Sequence, residues 1–158
     1  MATSEIVKIQ GFTELMDDLK KIPIELRTKA IAKSVRAGAK VVVKAARQKA
    51  PVRSNEWEGI NYPNPPGTLK KGIKAEKAKR QPSYIYRDVI GFSPKAWYGA
   101  LVERGHKIVR GDKTIGHVAA KPFLRPAFDD NQDKIFEAMR EKLGEEIDKF
   151  KMGIIRVK

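Results

Sequence analysis

Between Ile24 and Ala50 the chain runs without a proline and carries two faces of opposite character. At about 100° per residue, Ile24, Ile31, Val35, Gly38, Val42 and Ala46 fall within about 80° of one another, which predicts a long amphipathic helix over 24–50. Lys29, Lys33, Arg36, Lys40, Lys44 and Arg47 gather in a narrow stripe on the opposite face. Apart from Glu25, four residues before Lys29, the stripe has no acidic residues at i,i+4, so like charges repel along it by roughly a few tenths of a kcal/mol per pair. Burial of the apolar face must offset that cost. The basic stripe is therefore a candidate contact face, with a merely solvated face as the plain alternative.

Other elements arrange themselves around this helix. Glu5–Gln10 reads as a short strand, and Phe12–Lys20 as a short helix that Pro23 ends. Arg53–Pro66, rich in proline, asparagine and glycine, reads as an inserted loop. Leu69–Arg80 and Tyr84–Phe92 read as two strands joined through Gln81-Pro82-Ser83, an antiparallel hairpin with Leu69, Ile73 and Ala75 on its inner face. Pro94–Arg104 reads as a turn or short helix that buries Trp97, Tyr98, Leu101 and Val102. Lys107–Val118 reads as a second hairpin around Gly111-Asp112. The run Lys121-Pro122-Phe123-Leu124-Arg125-Pro126-Ala127-Phe128 brackets apolar residues with prolines, which fix φ and bias the preceding residue away from the α region. It reads as a stiff extended wedge. Asp129 or Asp130 then starts a last helix with the apolar stripe Ile135, Met139, Leu143, Ile147 and Phe150, followed by a β-prone tail, Ile154-Ile155-Arg156-Val157. The expected fold is α+β, a small antiparallel sheet packed by one long helix and a C-terminal helix. The 158 residues form one domain with inserted loop 53–66 and hairpin 107–118.

The chemistry available is limited. There is no cysteine, which removes disulfides, thiolate metal sites and cysteine catalysis. His106 and His117 bracket the Gly111 turn and are placed to face each other across the hairpin, but without an acidic cluster they make a poor metal site. Asp129, Asp130 and Asp133 suit a helix start better than a metal patch. No catalytic motif is present, so no enzyme activity, cofactor or metal is expected. With no apolar run of about 18 residues and no leader-like N-terminus, a soluble protein made in a cytoplasm is expected, with no membrane partner. The net charge is +14. It is concentrated in Met1–Ile60 (+5) and Asn61–Ala120 (+8), with +1 left for Lys121–Lys158. Lys70, Lys71 and Lys74 add to the basic helix stripe, so an acidic protein surface or the phosphates of nucleic acid is the natural partner.

Two sequence elements carry a resemblance. Trp97-Tyr98-Gly99-Ala100-Leu101-Val102-Glu103-Arg104-Gly105 followed by Pro122-Phe123-Leu124-Arg125-Pro126-Ala127 resembles the neck or tail-completion proteins of long-tailed bacteriophages. Gly11-Phe12-Thr13-Glu14-Leu15, Ala50-Pro51-Val52 and Gly67-Thr68-Leu69-Lys70-Lys71-Gly72-Ile73 match further pieces in the family's order. Arg53–Pro66 is extra relative to that pattern, and Arg104 stands where an aromatic residue is usual.

The resemblance implies a structural virion protein of the head–tail junction, acting in tail completion and head–tail joining as part of a ring around the DNA channel. Its partners would be copies of itself and neighbouring connector and tail proteins, with non-specific contact with packaged DNA through the basic face. Its place would be the virion, after assembly in the host cytoplasm. Trp97, Tyr98, Glu103, Phe123, Leu124, Arg125 and Phe128 are the expected subunit or partner contacts. A stand-alone, non-specific nucleic-acid-binding protein is the alternative that the charge supports.

Overall fold

The structure, a computed structural model, describes residues 14, 17, 18, 20–52, 64–79 and 85–156. The expected strand Glu5–Gln10, most of the insertion 53–66 and the link Gln81-Pro82-Ser83 lie outside the described residues. Of the first short helix, Glu14, Asp17, Asp18 and Lys20 are helical.

The fold is mixed α+β. Helix α1 (Ile24–Lys49) is followed by α2 (Thr68–Gly72), strands β1 (Ile73–Lys77) and β2 (Asp88–Phe92), and a 3-10 turn at Pro94–Ala96. Then come α3 (Gly99–Arg104), β3 (His106–Arg110), β4 (Lys113–Val118), α4 (Leu124–Asp129) and α5 (Gln132–Arg156). β1 and β2 form one antiparallel pair and β3 and β4 another.

The two long helices pack on each other, and α5 covers α1 rather than the sheet. The approach is close because α1 presents small residues there. A Cβ on Gly38 would come within 2.7 Å of Met139 Cγ and 3.1 Å of Ile135 Cγ2. Ser34 Oγ, buried in the same seam, donates to the Met139 carbonyl at 2.7 Å. Lower down, Ile22, Ala30, Leu143 and Ile147 form a buried cluster, each large side chain there contributing roughly 1.5–3 kcal/mol. The buried face of α1 therefore includes Gly38, Val42 and Ala46 of the expected face and is widened by Ala30, Ser34 and Ala39. Ile24 is left exposed and Ile31 and Val35 partly buried. On α5, Ile135, Leu143 and Ile147 are buried and Met139 and Phe150 partly so, as their spacing predicts.

A second core joins the other end of α1 to the sheet: Ala46, Ala50, Leu69, Ile73, Ala96, Phe123 and Ala127. Here the antiparallel β1–β2 pairing holds, with Ile73 opposite Phe92 and Lys77 opposite Asp88. The stretch Thr68–Gly72 is helical, not strand. Leu69 and Ile73 stand four residues apart, which is a helical spacing, and both reach the core from one turn of helix running into β1. Gly99 lets this layer close, since a Cβ there would come within 2.4 Å of the Phe92 ring.

Three further expectations change. Leu124–Asp129 is a helix rather than an extended wedge. Pro126 lies in its first turn, where a missing N–H breaks no intrahelical bond. Asp129 is the last residue of α4 and Asp130 follows it, so neither starts α5; Asp130 pairs with Lys49 at 2.6 Å and so ties the end of α1 to this corner. The tail Ile154-Ile155-Arg156 continues α5, because extending an existing helix is cheap and β-branched residues disfavour it only weakly. No helix among the described residues is long and apolar enough to cross a membrane.

Candidate functional site

Glu103 closes α3 and points its carboxylate at the start of α4. Phe123 N–H donates to Oε2 at 2.7 Å, Leu124 N–H to Oε2 at 2.9 Å, and Arg125 N–H to Oε1 at 3.2 Å. A helix start leaves its first N–H groups without intrahelical partners and carries a partial positive charge. One carboxylate from α3 answers both needs. Glu103 therefore serves a backbone helix end of its own chain rather than a basic side chain. The Val-Glu element and the Pro-Phe-Leu-Arg-Pro element, apart in sequence, are one structural unit.

That unit sorts the expected contact residues. Phe123 is 1% exposed and meets Phe92 edge-on at 6.0 Å. Leu124 is partly buried, while Arg125 and Phe128 face outward. Trp97 is 66% exposed, contrary to the expected burial, and Leu101 is also exposed. Ala96 and Gly99 are the residues that sink into the core instead. Trp97 stands edge-on to Tyr98 at 6.3 Å. Both rings line an apolar cleft of about 520 Å³, with Pro51, Pro65, Leu69 and Val118 among its walls.

The β3–β4 hairpin begins at the rim of this cleft and makes its main contacts between its own two strands. Gly111, with φ +59°, turns it. Two residues of β4, Thr114 and Ile115, oppose the single step from Ile108 to Val109, which is a bulge. His106 pairs with Val118 and His117 with Lys107. Neighbouring pairs point to opposite faces of a ribbon, so the two histidines do not face each other. Val109 and Ile115 are about 60% exposed (59% and 61%). Sequence reading missed these as contact residues. Their signal was the set of β-branched residues interleaved with charge on a hairpin too narrow to bury either face.

The basic residues divide into used and unused. At the two ends of β1, Gly72 and Ala78 bond across to Ser93 and Arg87, so the alternate carbonyls of Ile73 and Ala75 point to the free edge. Arg47 donates to the Ile73 carbonyl at 2.8 Å and Arg36 to the Ala75 carbonyl at 2.7 Å. These two arginines close an edge that would otherwise be open to pairing. Arg36 also holds Asp88, whose side chain is 2% exposed, with Nη2 3.0 Å from Oδ1 and Nε 2.7 Å from Oδ2. Only the first of these is aligned as a hydrogen bond, and Oδ2 stays buried without an aligned donor. Lys33 pairs with Glu146 of α5 and, by donating to it, holds that carboxyl below the ordinary carboxylate range. Asp88 and Glu146 are partners from afar that local sequence reading had no means to find.

Lys40, Lys44, Lys70 and Lys74 have no ion pair or side-chain hydrogen bond among the described residues. Together with Arg36 and Arg47 they line a groove of about 740 Å³ between α1 and the α2–β1 segment, in which Glu76 is the one carboxylate. Two of the expected basic groups from separate elements are thus brought together. Lys29 and Lys33 lie nearer the start of α1, and Lys71 lines a separate shallow cleft beside Thr68 and Lys95. No group of three or more metal-ligating side chains occurs among the described residues.

Compared with known families, the chain matches the family model described for the bacteriophage HK97-gp10 tail component over residues 13–105, more than half its length. The chain belongs to the HK97-gp10-like family of phage tail components. No curated protein and no solved structure matches it. The family span includes α1, the β1–β2 pair and Glu103, and ends at Gly105. The helix start that Glu103 caps lies beyond that span. As a phage tail component the chain is virion-associated.

Proposed function

We propose that this tail component acts at the head–tail junction, completing the tail and joining it to the head as one subunit of a ring around the DNA channel. The observation that carries this reading is the apolar surface left uncovered on the single chain. Trp97 stands beside an apolar cleft, and Val109 and Ile115 project on a hairpin with little support from the body. A two-stranded hairpin is marginal in water by itself, and large apolar side chains grouped at one edge mark an interaction surface. Phe128, half exposed on α4, extends the same character to a second place. Arg125, Leu124 and Tyr98 flank these contacts, with neighbouring connector and tail proteins as the other partners. The role is structural and non-catalytic.

The groove of lysines favours a second reading, a basic protein holding nucleic acid without sequence preference. Electron microscopy of lysates separates the two. A phage lacking this chain should accumulate separate heads and tails. A chain carrying Trp97→Ser and Ile115→Ser should fail to restore joining. It should stay folded, because surface substitutions usually change stability by within about 0.5 kcal/mol. Normal yields of complete particles without the chain would overturn the junction role.

A further inference from the structure

The unused lysines of α1 have a counterpart on the far side of the molecule. On α5, Asp133, Glu137 and Glu141 are exposed at intervals of four residues. They form no ion pair or side-chain hydrogen bond among the described residues. At about 100° per residue, Glu137 and Glu141 lie roughly 160° from Met139, which faces α1. This acidic ridge therefore points away from α1. On α1, Arg36, Lys40 and Lys44 are also spaced by four residues, on a side turned well over 90° from the Ser34–Gly38 seam that receives α5. One molecule thus carries a basic groove on one side of its helix pair and an acidic ridge on the other. Both have the same one-turn spacing between charges.

We infer that the acidic ridge of α5 in one copy docks along the basic groove of α1 and β1 in the next. This rests on the ring reading above and gives it a contact. Two different surfaces that complement each other make a head-to-tail interface, which repeats from copy to copy and closes into a ring when the rotation allows. Glu76, sitting among the lysines, weakens the groove as a bed for phosphates while leaving a carboxylate for Lys134, the ridge's flanking cation. Arg36 and Arg47 are already committed to β1 and Asp88, so Lys40, Lys44, Lys70 and Lys74 make the contact.

Charge exchange tests it in a phage lacking the chain, complemented from a plasmid. Lys40→Glu with Lys44→Glu, or Glu137→Lys with Glu141→Lys, should each cut the yield of joined particles by roughly a hundredfold, as like charges then meet across the interface. Both proteins should keep the wild-type melting temperature within a few degrees. Combining all four exchanges in one chain should restore the yield, because every contact then pairs a reversed ridge with a reversed groove. Normal yield from either variant alone overturns the contact and leaves the junction role standing. Failure of the combined variant to restore the yield also overturns it. If the lysine variant alone fails and the unmutated protein binds a plain DNA duplex that the variant does not, the groove holds DNA instead. Complete particles without any copy of the chain would be a failure of the junction reading itself.

Discussion

Phe123→Ala should destabilise the chain by about 3–5 kcal/mol, the range for removing a phenylalanine from a closed core. Phe123 is 1% exposed and packs with Ala46, Leu69, Ile73 and Ala127, with Phe92 edge-on to it. It is the largest side chain in the core that joins α1, the β1–β2 sheet and α4. Its small neighbours Ala46, Ala96 and Ala127 have no reach to fill the space it would leave. Thermal or denaturant unfolding followed by far-ultraviolet circular dichroism measures the loss. Phe128→Ala, at a half-exposed position, should cost far less stability and show itself in assembly instead. A Phe123→Ala protein that melts with the wild type would mean that this corner is not a packed core.

Glu103→Ala should cost about 2–4 kcal/mol, with Glu103→Gln retaining part of the difference. Hydrogen bonds to a charged group contribute about 1.5–3 kcal/mol each, and water at this half-buried site replaces some of that. Alanine leaves three N–H groups of the α4 start without their acceptor. Glutamine keeps one oxygen but loses the charge that answers the helix dipole. Because α4 carries Ala127 into the core and leads into α5, loosening its first turn should also expose the Phe123 corner. Hydrogen exchange at the Phe123, Leu124 and Arg125 amides reads this directly. Protection there should fall in both variants, most in the alanine one. Unchanged protection in Glu103→Ala would show that water or another group caps α4 equally well.

What was legible in the sequence, and what was not, divides along the distance over which residues act. α1, the β1–β2 pairing, the Gly111 hairpin and the buried stripe of α5 follow from local periodicity and turn chemistry, and each is present. Proline rules, being local, make the whole Lys121–Phe128 run read as extended, whereas it is helical from Leu124 onward. The acceptor that stabilises a helix there comes from Glu103, which no window around Pro126 contains. The buried face of α1 keeps Gly38, Val42 and Ala46 of the expected one but extends to Ala30 and Ser34, because α5 seats on Ser34 and Gly38, and small residues carry little weight in a hydrophobic pattern while permitting the closest approach. Trp97 was expected inside because it is large and apolar. Hydropathy does not separate a large apolar side chain that enters the core from one that stays at the surface, as Trp97 does. The basic stripe was legible as a stripe, but its division into edge-closing arginines, a Glu146-paired lysine and free lysines depends on strand register and on α5.

Cryo-electron microscopy of the intact virion tests the junction role most directly. Several copies of this chain should form a closed ring at the head-proximal end of the tail, with Trp97 and the Val109–Ile115 hairpin covered by neighbours. The α5 ridge of each copy should lie against the α1 groove of the next. A virion whose head–tail junction contains no density for this chain, or in which the chain lies elsewhere in the tail with Trp97 facing water, would contradict it.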